Sequence, residues 1–308
     1  MDLNDLPGHP EGMTLSGLYV PLITPFTATG ELAAEALEGL ANDVVDAGAA
    51  GLVALGTTGE PATLTVAERR RVLDVCAGVC RSRGVPLIAG AGSNSTAESA
   101  QALAALDPRV SAALAVVPYY TRPSEDGVVA HFRNLAAASP VPLIIYNIPY
   151  RTGRPLGAET LCRLADLPNV IGFKHAVGGI DDTTIAFLSR VSADTAVLAG
   201  DDLFLSPLLA LGAAGGIMAS ANVATTAYVD LIAAWRDGML ERARGLGNRL
   251  APLASALFAE PNPVVIKAVL AAQGRIPSPA VRLPLLPAGD IAVTAALTAL
   301  AAVPTPIR

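Results

Sequence analysis

The stretch "PLIIYNIPYRTGRPLGAETLCRLADLPNVIGFKH" (142–175) holds two apolar runs, "PLIIY" (142–146) and "VIGFK" (170–174), on either side of a segment with helical spacing. Neither run alternates apolar with polar side chains, the pattern of a parallel strand buried on both faces. Strand, helix and strand together form a βα unit of about 30 residues.

Working outward, the same alternation recurs about every 25 to 35 residues. Further apolar runs are "LYVPLI" (18–23), "GLVAL" (51–55), "PLIAG" (86–90), "AALAVV" (112–117), "AVLAG" (196–200) and "GGIMAS" (215–220), which brings the total to eight. Between them, "TVAERRRVLDVCAGVCRSR" (65–83) and "EDGVVAHFRNLAAAS" (125–139) carry helix-period apolar residues with charged faces, and several such segments follow a residue suited to an N-cap. Eight strands, each followed by a helical pattern and with no Pro/Ser linker between them, predict an α/β fold: a closed (β/α)8 TIM barrel over residues 14–222. Residues 223–308 add no strand. Segments around Trp235, Leu250 and Lys267 read as a C-terminal helical extension, and residues 1–13 as a loose leader lacking a signal peptide's basic and apolar regions. A doubly wound dinucleotide-binding sheet is disfavoured, because "GAGSNS" (90–95) lacks the third glycine of that fingerprint and follows the third strand, not the first.

The net charge of −6 over 308 residues and the pI near 5.1 argue against a surface for nucleic acid or an anionic membrane, since no Lys/Arg-rich face stands out. Small molecules and further copies of the chain are the expected partners. Mean hydropathy is +0.48, largely from alanine, and no run approaches the roughly 20 apolar residues of a bilayer span; a cytoplasmic protein is expected. Cys76 and Cys80 sit four apart on a predicted helix with no histidine nearby, so they read as small core residues, and no metal site is expected.

In a barrel of this kind chemistry belongs at the C-terminal ends of the strands. The polar stretches gather there: "GTTGE" (56–60), "PYYTRP" (118–123), "YNIPYRTG" (146–153), Lys174 and "GDD" (200–202). Lys174 and Lys267 are the only lysines; every other basic residue is arginine. Lysine, unlike arginine, can lose its proton and act as a nucleophile. Strand alternation puts Val170, Gly172 and Lys174 on one face, with Ile171, Phe173 and His175 on the other, and the small Gly172 leaves room beneath an inward lysine. Burial there disfavours the ammonium and supplies a neutral amine for Schiff-base chemistry on a carbonyl; an ion pair with Asp201 or Asp202 is the structural alternative. "GTTGE" offers hydroxyls and backbone N–H groups to a carboxylate or, alternatively, an N-cap. Tyrosines near the lysine suit proton relay. Arg151 suits a second substrate's carboxylate or, alternatively, a rim salt bridge. His131 and His175 read as structural.

From about Gly17 to Pro287 the chain resembles the dihydrodipicolinate synthase / N-acetylneuraminate lyase family of pyruvate-dependent class I aldolases. The carriers are "ITPF" (23–26), "GTTGE", "GSNST" (92–96), "PYYTRPSEDG" (118–127), "YNIPYRTG", "IGFK" (171–174), "GDD" and "ANVA" (221–224), in that family's order and spacing. The resemblance implies a lysine–pyruvate imine on Lys174, with no metal or organic cofactor. It implies that Thr57 and Thr58 hold the pyruvate carboxylate and that Tyr146 is the acid/base. Thr57 would link Tyr146 to Tyr120, which is supplied to a neighbouring subunit, while Gly200 and Ile217 line the pocket. A homotetramer built from tight dimers is implied as well. "YNIPYRTG" matches the synthase branch, in which Arg151 meets the carboxylate of L-aspartate 4-semialdehyde and the product is 4-hydroxy-tetrahydrodipicolinate. That branch continues "KEATG" where this chain has "KHAVG" (174–178), so His175 and Val177 leave another 2-oxo acid lyase, aldolase or dehydratase open, of N-acetylneuraminate lyase or 2-keto-3-deoxy sugar acid type. A non-catalytic 2-oxo acid binder is the third reading. Asn94, Glu98 and Tyr119 match the synthases' allosteric lysine pocket, but Val66 and Arg69 stand where inhibited members often carry histidine, so weak or absent inhibition is expected.

Overall fold

A computed structural model describes residues 13–303; the proposed leader, apart from Met13, lies outside them. The strands are β1 (Gly17–Pro21), β2 (Gly51–Ala54), β3 (Leu87–Gly90), β4 (Ala112–Val116), β5 (Leu143–Asn147), β6 (Val170–His175), β7 (Ala196–Ala199) and β8 (Gly215–Ile217). They pair in parallel in sequence order, and β8 returns to β1 to close the barrel. All eight fall on the apolar runs of the sequence.

The crossovers are α1 (Ala34–Asp46), α2 (Val66–Arg83), α3 (Thr96–Ala104), α4 (Glu125–Ala138), a single turn α5 (Pro149–Thr152), α6 (Ala158–Ala165), α7 (Asp182–Leu188) and α8 (Leu205–Ala210). Beyond β8 run α9 (Ala221–Arg236), α10 (Leu240–Leu257), α11 (Val264–Ala272) and α12 (Asp290–Ala301). Helix α2 starts where its sequence says: Thr65 accepts from the Glu68 N–H while the Glu68 carboxylate accepts from the Thr65 N–H, satisfying two otherwise orphaned donors. Cys76 and Cys80 are free thiols on the buried face of α2, and burial pushes the Cys80 thiol up to about 12. No described helix is long and apolar enough to cross a membrane.

Two apolar clusters lie between strands and helices, and a third, including Tyr19, Val53, Ile88, Leu114, Ile144, Leu198 and Ile217, fills the barrel interior. One expected alternation is broken. Val170 packs in the outer cluster with Phe173, while Ile171 packs against the interior one, because the β5–β6 register shifts between Leu143 and Ile144 and such an irregularity reverses the facing of residues beyond it. Nor is there room beneath Lys174: a Cβ on Gly172 would lie 2.6 Å from the Ala196 carbonyl oxygen and 2.9 Å from Leu15 Cδ1. Leu15 occupies that space, so Gly172 permits a close strand–plug approach.

Candidate active site

Lys174 sits near the end of β6, paired in register between Tyr146 of β5 and Leu198 of β7. Its side chain enters the barrel mouth and is 6 % exposed, with Nζ 4.3 Å from the centre of the Tyr146 ring. The position depends on Gly200, where a Cβ would fall 2.9 Å from Lys174 Cγ and 2.7 Å from the Ala176 Cβ. Among the described residues Lys174 forms no ion pair. Asp201 is engaged elsewhere, accepting from the Tyr150 hydroxyl at 2.8 Å and the Gly178 N–H at 2.7 Å. Asp202 is buried in the same recess and accepts from the Ser220 and Ala219 N–H groups. Burial pushes its carboxyl up to about 6, against the opposing pull of those hydrogen bonds and of the Lys174 charge.

Around the amine lies a narrow recess of about 20 Å³ lined by Thr57, Thr58, Tyr146, Tyr150, Arg151, Gly200, Asp202 and Ile217, with Phe258 and Asn262 from the C-terminal segment. It adjoins an open cleft of about 810 Å³ lined by Tyr119, Tyr120, Arg122, Ile148 and Gly153; Thr57, Tyr146, Tyr150 and Arg151 line both. The fold thus brings Lys174, Tyr146, Thr57, Thr58, Arg151, Gly200 and Ile217 around one recess. Tyr120 stands apart on the outer cleft and is 88 % exposed.

The GTTGE turn is built as two short 3-10 turns, Thr57–Gly59 and Pro61–Thr63, joined by Glu60 at φ +51°. Neither threonine caps α2, whose cap is Thr65. The Thr58 hydroxyl accepts from Asn262 Nδ2 at 3.0 Å, which leaves its proton free for a ligand. Glu60 accepts from Lys267 Nζ at 2.7 Å and from the Arg282 backbone N–H at 3.2 Å, tying the turn to α11 and to the segment that follows it. Arg151, on α5, makes no ion pair among the described residues, so its guanidinium faces the cavities unneutralised.

Tyr120 occupies φ +69°, and the Thr121 N–H reaches back to the Tyr119 carbonyl at 2.8 Å. A tight turn around a non-glycine residue at positive φ is strained, and such strain concentrates at functional positions. Asn94 Nδ2 donates to the Tyr119 carbonyl at 3.3 Å, and Glu98 accepts from the Ser93 hydroxyl at 3.1 Å. Asn94 and Tyr119 thus sit on adjoining loops, and Glu98 lies in the first turn of α3 beside them. Val66 is 83 % exposed at the start of α2.

Neither histidine of the described chain reaches the recess. His131 bonds the Thr96 hydroxyl through Nδ1 at 2.9 Å. His175 points outward, bonding the Thr184 hydroxyl through Nε2 at 3.0 Å and packing on Phe187. Burial pushes its imidazole down to about 4, partly opposed by Asp181 and Asp201. The folded value lies below the ordinary 6.5, so the unfolded chain binds the proton more readily; stability contributed by His175 is complete above pH 6.5 and lost as pH falls through 4. Proton uptake by the unfolded chain across that window costs the fold about 3 kcal/mol. Denaturant titrations of wild type and His175→Gln at pH 7 and pH 4 should show the variant losing that much less.

Sequence reasoning named Asp202 only as an alternative ion-pair partner of Lys174, and it missed Tyr150, Phe258 and Asn262 as lining residues. The only signal for Asn262 was an amide within "EPNP" (260–263), since its contact with Thr58 spans 204 positions.

Fold and site together define a (β/α)8-barrel enzyme whose reactive groups lie at the C-terminal rim. The chain matches the Dihydrodipicolinate synthetase family across residues 14–302 and belongs to it; it is a lyase. It is 40% identical over 289 residues to the 4-hydroxy-tetrahydrodipicolinate synthase of Neisseria meningitidis serogroup B, covering 92% of this chain and 98% of that one. With the same-named protein of Methanothrix thermoacetophila identity is 39% over 277 residues, 89% and 92% of the two chains. Among solved structures, the chloride-inhibited dihydrodipicolinate synthase of Acinetobacter baumannii complexed with pyruvate matches with a TM-score of 0.89 and 36% identity, over 94% of this chain and 99% of that one.

Proposed function

We propose that this protein condenses pyruvate with L-aspartate 4-semialdehyde to give 4-hydroxy-tetrahydrodipicolinate through an imine on Lys174. One observation carries the reading: the buried Lys174 amine lies 4.3 Å from the centre of the Tyr146 ring, in a recess shared with Thr57 and Thr58. The names of the relatives and the pyruvate in the Acinetobacter structure support it.

The Lys174 amine, once it has given up its proton, adds to the keto carbon of pyruvate, and loss of water leaves the imine. Tyr146 moves the protons to and from the carbinolamine. Thr57 and Thr58 hold the carboxylate through hydroxyls and turn N–H groups. Loss of a methyl proton gives an enamine, whose carbon bonds to the aldehyde carbon of the second substrate while the aldehyde oxygen takes up a proton to become a hydroxyl and the Lys174 imine re-forms. The amine of that substrate then attacks the imine carbon, closing the ring and releasing Lys174. Every electron pair is accounted for without a metal or organic cofactor. Arg151, unpaired and lining both cavities, takes the semialdehyde carboxylate by two parallel N–H···O bonds.

Tyr120, exposed and held in a strained turn, fits donation to a neighbouring subunit's site in a homotetramer assembled from dimers, where Thr57 connects it to Tyr146. The buried free thiols suit a reducing cytoplasm. Inhibition by lysine at Asn94, Glu98 and Tyr119 is weak or absent because Val66 and Arg69 offer it no imidazole; strong inhibition at submillimolar lysine would contradict this.

Steady-state assays on wild type and Arg151→Ala test the assignment. Wild type should consume aspartate semialdehyde with pyruvate, and the variant should lose about 10²-fold or more in kcat/KM for the semialdehyde, the cost of an unmet charge-assisted pair of about 3 kcal/mol. Failure of wild type to consume the semialdehyde removes the synthase assignment.

A further inference from the structure

The route from the open cleft to Lys174 passes four side chains, Thr57, Tyr146, Tyr150 and Arg151, which line both cavities. Three have a part in the proposed reaction, and Tyr150 has none. Its ring is nevertheless held by specific contacts. Its hydroxyl donates to Asp201 Oδ1 at 2.8 Å, and the other oxygen of that carboxylate accepts from the Gly178 N–H at 2.7 Å. A Cβ on Gly178, whose φ is +78°, would lie 3.4 Å from Tyr150 Cδ1, so the ring rests against the glycine backbone. The loops after β5, β6 and β7 are thus clamped together beside the reactive amine by one carboxylate.

The clamp has a steric consequence. On the amine side the space is about 20 Å³, near that of a single water, while on the outer side it is about 810 Å³. The ring is half-exposed, at 57 %, so it is not needed for the core. Its hydroxyl proton is held by burial and by the Asp201 charge, both of which raise the phenol's pKa; it does not serve as a readily ionised acid.

We propose that Tyr150 is a specificity-determining residue: its ring, tied to Asp201, fills the passage between the cleft and Lys174 and restricts the second substrate to a short, unbranched aldehyde. The inference rests on the Lys174 imine reading and adds a size limit to it. Replacing the ring by a small side chain opens a ring-sized space, which an aromatic aldehyde fits.

The test compares wild type, Tyr150→Ser and Tyr150→Phe with pyruvate and either aspartate 4-semialdehyde or pyridine-2-carboxaldehyde. In Tyr150→Ser the ratio of kcat/KM for the aromatic aldehyde over the semialdehyde should rise at least about tenfold, the scale on which pocket size discriminates substrates. Tyr150→Phe keeps the ring but loses its tie to Asp201, so its aldehyde ratio should lie between those of wild type and Tyr150→Ser, and the KM for pyruvate should change less than about threefold in both. A Tyr150→Ser ratio within about twofold of wild type overturns the size limit. Borohydride trapping of wild type with pyruvate is the separate arm. Its absence overturns the imine reading and the gate with it; its presence alongside an unchanged ratio overturns the gate alone.

Discussion

Lys174→Met is expected to lose at least about 10³-fold in kcat while keeping the circular dichroism and denaturation midpoint of a folded barrel. The side chain is buried and forms no ion pair among the described residues, and Asp202, which loses the pull of the Lys174 charge, keeps the Ser220 and Ala219 N–H groups as donors, so an apolar chain of similar length is expected to leave the barrel folded. Lys174→Arg should be equally inactive. Its guanidinium keeps the charge but does not deprotonate to attack a carbonyl. A simple electrostatic role for Lys174 predicts the opposite, substantial activity in the arginine variant and little in the methionine one. Rates within about tenfold of wild type for either variant would remove the covalent step.

The second large effect concerns the other lysine. Lys267 and Glu60 have side chains 0% and 2% exposed and meet at 2.7 Å. Lys267 Nζ also lies 4.0 Å from the centre of the Phe26 ring, and the Arg282 guanidinium lies 4.2 Å from the same ring. Burial lowers the Lys267 pKa, with the Glu60 charge opposing. Lys267→Met leaves the Glu60 carboxylate buried with only the Arg282 N–H, and should cost about 3–5 kcal/mol of stability, read as a lower denaturant midpoint at unchanged slope. Adding Glu60→Gln removes the stranded charge while keeping an acceptor for Arg282, and should recover more than half of that loss. A single-variant cost below about 1 kcal/mol would mean that the pair is unimportant to the fold.

The two lysines show where the sequence was legible. Lys174 stood out as a lone ammonium closing an apolar run, with an ion pair to Asp201 or Asp202 as the alternative, and the fold buries it beside Tyr146 of the adjacent strand with no such pair among the described residues. The eight strands were equally plain: burial on both faces imposes continuous apolar runs, and helices with alanine-rich faces separate them. Lys267 gave no such sign, because its partner is 207 positions distant, and nothing local distinguishes a buried ion pair from a solvated charge on a helix. A separation of 204 positions likewise hid the contact of Asn262 with Thr58. The facing of Val170 and Ile171 failed for a local reason, since a register shift depends on the neighbouring strand and not on the run itself. The strained turn at Tyr120 was invisible too, for only backbone geometry distinguishes an exposed tyrosine pinned at positive φ from one packed on a surface.

The covalent step is open to one direct measurement: incubation with pyruvate and borohydride, proteolysis, and mass analysis of the peptide containing residue 174. The reduced pyruvate adduct should appear on Lys174, with none on Lys267, which is fully buried in its ion pair. An unmodified Lys174 after reduction in saturating pyruvate, or an adduct on any other residue, would contradict the mechanism.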